Sequence, residues 1–114
     1  MTDTYRIKDW DKYFEIAQTR RSATMKFSFF ACPNKHDGKS FRRLSRHERA
    51  SEIFAAWILI AQVASKQPKR GTLKDLDGPL TAMDLCDCTG FPEEIFVLAF
   101  EVLTDKAIGW LEVV

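Results

Sequence analysis

Long apolar runs are missing from this chain. The longest among its 114 residues, Ile53 to Ala61, is nine residues, and a membrane-spanning helix needs about 20. That run therefore reads as a core helix of a soluble protein. Glycines are few and scattered: Gly38, Gly71, Gly78, Gly90 and Gly109 form no phosphate-cradling fingerprint. Cysteine is scarce and odd in number, with Cys32, Cys86 and Cys88. Met1 to Trp10 is polar and has no apolar stretch of the kind a secretory leader carries. The expectation is a cytoplasmic protein whose thiols stay reduced. Paired metal-ligand spacing is absent too. Cys32, His36, Cys86 and Cys88 are zinc-type ligands, but Cys86 and Cys88 fall two apart on an expected helix, about 200° from each other. The three cysteines are expected as buried free thiols, and no metal or cofactor is expected. A Cys32–His36 pair has nothing to orient the imidazole and no oxyanion or phosphate loop beside it. The chain is accordingly expected not to be an enzyme.

What is present suits one folded domain spanning 1–114. Hydrophobic residues make up 46% and charged residues 29%, and nine Phe with three Trp supply large side chains to bury. A chain of this size can build a core without disulfides or metal. The formal net charge of +1 argues against a strongly basic nucleic-acid binder, yet it hides a division. Residues 1–70 hold 15 of the 17 Lys and Arg and 7 of the 16 Asp and Glu, a net +8; residues 71–114 hold 2 and 9, a net −7. The two parts can attract each other within one chain or between chains.

Residues 1–8 read as loose. Trp10, Tyr13, Phe14 and Ala17 fall on one helical face, predicting a surface helix from Asp9, as N-cap, to Arg20. Met25 to Ala31 alternates in part, with Phe27 and Phe29 on one side and Lys26 and Ser28 on the other, and predicts a strand. The loop 32–38 ends in the turn pair Asp37-Gly38. Ser40 to Leu44 reads as a short returning strand or an extended entry to the next helix. Ser45 and Glu48 have capping-box spacing, predicting a helix from Ser45 to about Lys66. Its stripe of Ile53, Phe54, Trp57, Ile58, Ala61 and Ala64 is flanked by further apolar residues, so it should be buried as the spine of the fold. Gly71 to Leu73 reads as a short strand, and Lys74 to Pro79 as a loop.

The last third carries a helix-turn-helix pattern. Thr81 and Asp84 form a cap pair, and Leu80 and Leu85 occupy the hydrophobic-staple positions. Gly90 ends that helix at Thr89. Pro92 opens the next, which runs to Thr104 and presents Ile95, Phe96, Ala99, Phe100, Val102 and Leu103 as its apolar face. Ile108 to Val114 alternates and predicts a final strand. The fold class expected is α+β, mostly helical, with a small antiparallel sheet: a winged-helix-like core over 45–114 and an N-terminal helix and strand extension over 1–44. This order resembles the winged-helix family of helix-turn-helix proteins. A full wing needs one more strand after the last, so either the wing is missing, or the chain is one domain of a longer protein; the first 44 residues are candidates to complete the sheet. More narrowly, "PNKHDGKSFRRL", "IFAAWILIAQVASKQPKRGTL", "GPLTAMDLCDCTGFPEEIFVLAFEVL" and "IGWLEV" resemble the N-terminal domain of phage and prophage replication-organiser and helicase-loader proteins. That resemblance implies a role around replicating DNA, through DNA contact, self-association or docking of a partner.

In a DNA-binding helix-turn-helix the second helix enters the major groove. Here it bears Glu93, Glu94 and Glu101 and no Lys or Arg, so phosphates repel it. It is expected to pack, or to meet a basic protein partner. The candidate nucleic-acid surface is instead the basic window Lys35, Lys39, Arg42, Arg43, Arg46 and Arg49, with His36 and His47, where Phe41 is either a platform for an exposed base or a core residue. The expected function is thus a non-catalytic, DNA-associated module of phage or prophage type in replication or its regulation; the alternative is a protein-interaction or dimerisation module without DNA affinity. Expected partners are DNA, duplex or single-stranded and weakly selected, and a second copy of the chain or a replication protein.

Overall fold

The computed structural model describes residues 3–33 and 38–114. Its spine is the helix α4, Ala50–Ser65, once β1 (Tyr5–Ile7), α1 (Trp10–Tyr13), α2 (Ala17–Ser22) and α3 (Lys39–Ser45) have been laid around it. Then come β2 (Lys74–Asp75), β3 (Gly78–Pro79), α5 (Ala82–Thr89), α6 (Glu93–Leu103) and β4 (Leu111–Val113). This is an α+β fold, mostly helical, with small antiparallel sheets. No helix among the described residues is long and apolar enough to cross a membrane.

Ile53, Ala56, Trp57, Ile60, Ala61 and Ala64 recur at helical spacing along α4 and are all buried, Trp57 at 6% exposure. Each large apolar side chain removed from water in this way contributes about 1.5–3 kcal/mol. α4 packs against α6, α5 and α3, and α6 answers with Ile95, Phe96, Ala99, Phe100 and Leu103.

The helix-turn-helix forms from the local signals in the sequence. The Thr81 hydroxyl accepts from Asp84 N at 3.2 Å, and Thr81 N donates to Asp84 Oδ2 at 2.8 Å. This reciprocal cap fixes the start of α5. Gly90 ends it with φ of 77°, a conformation that costs a side chain with a Cβ about 1–2 kcal/mol. Pro92 caps α6, and Glu93 and Glu94 follow in its first turn, favoured there by the helix dipole.

The sheet is completed from the start of the chain. β1 pairs antiparallel with β4, Tyr5 opposite Val113, Arg6 opposite Glu112 and Ile7 opposite Leu111. On its other edge Ile7 N donates to Gly71 O, and Leu73 N to Tyr5 O, each at 2.8 Å, around an antiparallel bridge between Arg6 and Thr72. β1 therefore lies between the 71–73 segment and β4, and Tyr5–Ile7, expected within a loose stretch, form a central strand. Local pattern hides this, because the strand's partners lie about 66 and 106 residues away. β2 and β3 form a separate hairpin where a loop was expected, closed by Asp75 Oδ1, which accepts from Asp77 N and Gly78 N.

The N-terminal extension departs furthest from expectation. The helix expected from Asp9 to Arg20 is two helices, α1 and α2. Asp9 stands at the N-cap of α1, its carbonyl accepting from Lys12 N and Tyr13 N, but its φ is 55° and its side chain makes no cap bond. The break at Phe14 to Ile16 lets Phe14 and Glu15 turn inward together. Thr19 forms a reciprocal turn with Ile16, its hydroxyl accepting from Ile16 N at 2.8 Å. Met25 to Ala31 is irregular backbone and not a strand. Phe27 is 84% exposed, and it is Phe30 that packs on the core. Ser22 holds this stretch through its hydroxyl, which accepts from Phe29 N at 3.1 Å.

The same region is locked to α4 by a buried ion pair. Glu15 accepts from Arg70 Nε at 2.7 Å and Nη2 at 2.9 Å, and from the Thr19 hydroxyl at 2.7 Å. Arg70 also donates to the carbonyls of Ser65 and Phe29 and lies over the Trp10 ring. Burial by itself raises the Glu15 carboxyl pKa; the hydrogen bonds from Arg70 and Thr19, with the Arg70 charge, outweigh it and bring it down to about 2.

Candidate nucleic-acid interface

Ser40 to Leu44 is neither a strand nor extended: it lies within the helix α3. Gly38 precedes it with φ of −70°, so no left-handed turn forms there. Asp37, the other half of the expected turn pair, lies outside the described residues. The reason for a helix is one-sided burial. Leu44 is fully buried and Phe41 half-buried, three residues apart, which a helix places on one face. Its last turn carries Arg42 and Arg43, favourable charges near the negative end.

The Ser45–Glu48 capping box is not made. The Ser45 hydroxyl donates to Arg42 O at 2.7 Å and closes α3 instead. Tight turns at His47 and Ala50 follow, and the His47 ring Nδ1 accepts from Arg49 N at 3.0 Å just before α4 starts.

This helix changes the meaning of the basic window. Lys39, Arg42, Arg43 and Arg46 stand at i, i+3, i+4 and i+7, one face of α3 and its C-cap, and all four are exposed. Arg43 is tethered, its Nη1 donating to Ala107 O at 3.1 Å. Among the described residues, Lys39, Arg42 and Arg46 have no acidic partner. Arg49 is separated from them: it forms a two-pronged pair with Glu52, 3.1 Å for each bond, and reaches Glu94 at 3.6 Å. Its charge is spent joining α4 to the first turn of α6. Lys35 and His36 lie outside the described residues.

The acidic set is divided as well. Glu94 is bound by Arg49, Glu93 is half-buried at the start of α6, and Glu101 is exposed two turns further along the outward face. Val97, between them, is half exposed. No basic side chain stands on this helix, so the helix that would enter a major groove offers phosphates only repulsion.

Sequence reasoning missed a groove of about 510 Å³ beside α3. Tyr13, Phe14, Phe41, Phe54, Trp57 and Trp110 line it, with Lys8 and Lys39 among its cations and Asp9 as its acid. The rings support one another: Phe41 meets Phe54 edge-on at 5.7 Å, and Trp57 and Trp110 lie 5.3 Å apart. The signal was available as six aromatics from four segments, but their meeting depends on the β1–β4 pairing that carries Trp110 into place.

The cysteines do not stand as expected. Cys32 and Cys88 are exposed and Cys86 half-buried, because the apolar face of α5 turns Leu85 inward instead. No group of three or more His, Cys, Asp or Glu among the described residues is arranged to hold a metal. Partial burial of its sulfur, with Asp84 and Asp87 nearby, raises the Cys88 thiol pKa, the opposite of nucleophile activation.

The fold and this face together define a mostly helical α+β module with a basic helix, α3, and an acidic one, α6. Comparison with family profiles, characterised proteins and solved structures finds no match.

Proposed function

We propose that this chain is a cytoplasmic, non-catalytic module that associates with DNA, with α3 as the contact surface. One observation carries the reading: Lys39, Arg42 and Arg46 share an exposed helical face with no acidic partner among the described residues. A row of cations without acidic partners attracts a phosphate backbone, and such contacts bind without reading bases. The resemblance to phage replication-organiser domains supports a setting in replication or its regulation.

A salt titration against generic duplex and single-stranded oligonucleotides tests this. Three phosphate contacts give a slope of log K against log salt of about −3 on duplex, so affinity falls about 50-fold between 50 and 200 mM salt. The double variant Arg42→Glu/Arg46→Glu is expected to lose binding at low salt. Absence of binding by the unaltered chain at 20 mM salt defeats the reading.

It would leave the second one, a protein-docking module. That reading is favoured by the outward face of α6, where Val97 stands half exposed between Glu94 and Glu101.

A further inference from the structure

We propose that the aromatic groove beside α3 takes an unpaired base of single-stranded DNA, the neighbouring phosphates meeting Lys39, Arg42 and Arg46. The inference rests on the DNA reading above and deepens it, since phosphate contact alone does not distinguish a single strand from a duplex.

Two features meet at α3, an aromatic groove and a basic stripe. One turn of the helix supplies both: Lys39, Ser40 and Phe41 line the groove, and Lys39 also begins the basic stripe that continues through Arg42 to Arg46. A strand held along that stripe passes the mouth of the groove. The groove's volume is within the range of small-ligand sites, and its walls are ring faces and edges. Phe41 and Trp110 lie nearly parallel, 21° apart with centroids at 6.4 Å. Phe54 keeps more than a third of its surface in water, which leaves ring surface open to a planar ligand. Stacking on such surface is tolerant of base identity, because every base has a π-face. In a duplex the bases already stack on each other and cannot enter.

Charge selects against the other planar or apolar occupants. Among the described residues, Lys8 and Lys39 outnumber Asp9 in the groove lining, and the stripe beyond carries three further arginines. The complementary ligand is therefore flat at one point and polyanionic along its length. A free mononucleotide has the same chemistry in smaller compass, so the experiment has an arm for it.

The test uses the whole chain, with (dT)12, a 12-base-pair duplex and dTMP as probes. Tryptophan fluorescence and anisotropy are read at low salt. The expected result is quenching with (dT)12 and little with duplex. Phe54→Ala is expected to weaken (dT)12 binding about 5- to 100-fold, the range for one lost base–aromatic stack, while leaving duplex binding unchanged. Phe54→Leu removes a ring but keeps apolar volume, and is expected to act in the same direction. Thermal melts establish that both variants fold. If duplex and single strand bind alike and neither variant matters, while Arg42→Glu/Arg46→Glu abolishes both, the groove is not a base site and the DNA reading survives. If dTMP matches (dT)12 in affinity, the ligand is a single nucleotide and the strand proposal is overturned. If no probe binds, both readings fall together.

Discussion

At the scale of single residues, two positions carry more than their size suggests. Gly71 takes φ of 91°, and a Cβ there would sit 2.4 Å from Trp10 Cγ. Neither the backbone nor the indole has room to yield, since Trp10 is buried between Phe14 and Phe30. Gly71→Ala is expected to cost about 3 kcal/mol or more from strain and overpacking, measured by urea unfolding. Glu15, at 2% side-chain exposure, makes stability depend on acid. Its folded pKa is about 2, below the unfolded value near 4.3, so its contribution is complete above that value and is lost as pH falls from about 5 towards 2. The loss expected is about 3 kcal/mol, and it should be absent from Glu15→Gln, which itself loses about 3 kcal/mol at neutral pH by leaving Arg70 without its counter-charge. Denaturation midpoints across pH 2 to 7 in both proteins check this. Neither residue stands out in the sequence. A lone Gly and a lone Glu acquire their roles from partners 61 and 55 positions away.

Elements differ in how plainly the sequence announces them. α5 and α6 are written locally, in Thr81, Asp84, Gly90 and Pro92, and they form where those residues place them. Thr81→Ala is accordingly expected to cost about 1 kcal/mol, read from the thermal midpoint. α4 is legible from its apolar content, although its start is not. Ser45 and Glu48 have the right spacing, but Ser45 finds the Arg42 carbonyl first, and α4 begins five residues later. α3 was unreadable for a different reason. Seven residues are too few for a period to separate a helix from a strand, and only burial of Leu44 with Phe41 decides it. In 1–33 the chain is shaped by the Glu15–Arg70 pair, the ring stack of Trp10 on Phe14 and the pairing of β1. All three are distant contacts, so Phe27 and Phe29 gave a false alternation while Phe30 went to the core. The candidate site shows the same division. Its cations could be named from the sequence, but their shared helical face, the withdrawal of Arg49 into ion pairs and the aromatic groove could not.

Across the whole molecule the opposed halves meet. Arg6 binds Glu112 at 2.6 Å and Arg49 reaches Glu94 at 3.6 Å, each joining the +8 part to the −7 part. With a total near neutrality there is little self-repulsion for salt to relieve, so screening mainly weakens attraction. Raising NaCl from 10 to 500 mM is expected to lower stability by about 1 kcal/mol, a fall in Tm of roughly 4–8 °C for a domain near this size. Calorimetry at the two salt concentrations measures it, and an unchanged or higher Tm refutes the account. The central position of β1 has a consequence for birth as well as for stability. Synthesis delivers the strand 106 residues before its outer neighbour, by the Arg6–Glu112 bond. Until those residues have been made, one edge of that strand has only water or a stranger to pair with, so a nascent chain stalled before β4 is the species most exposed to aggregation and most in need of a chaperone.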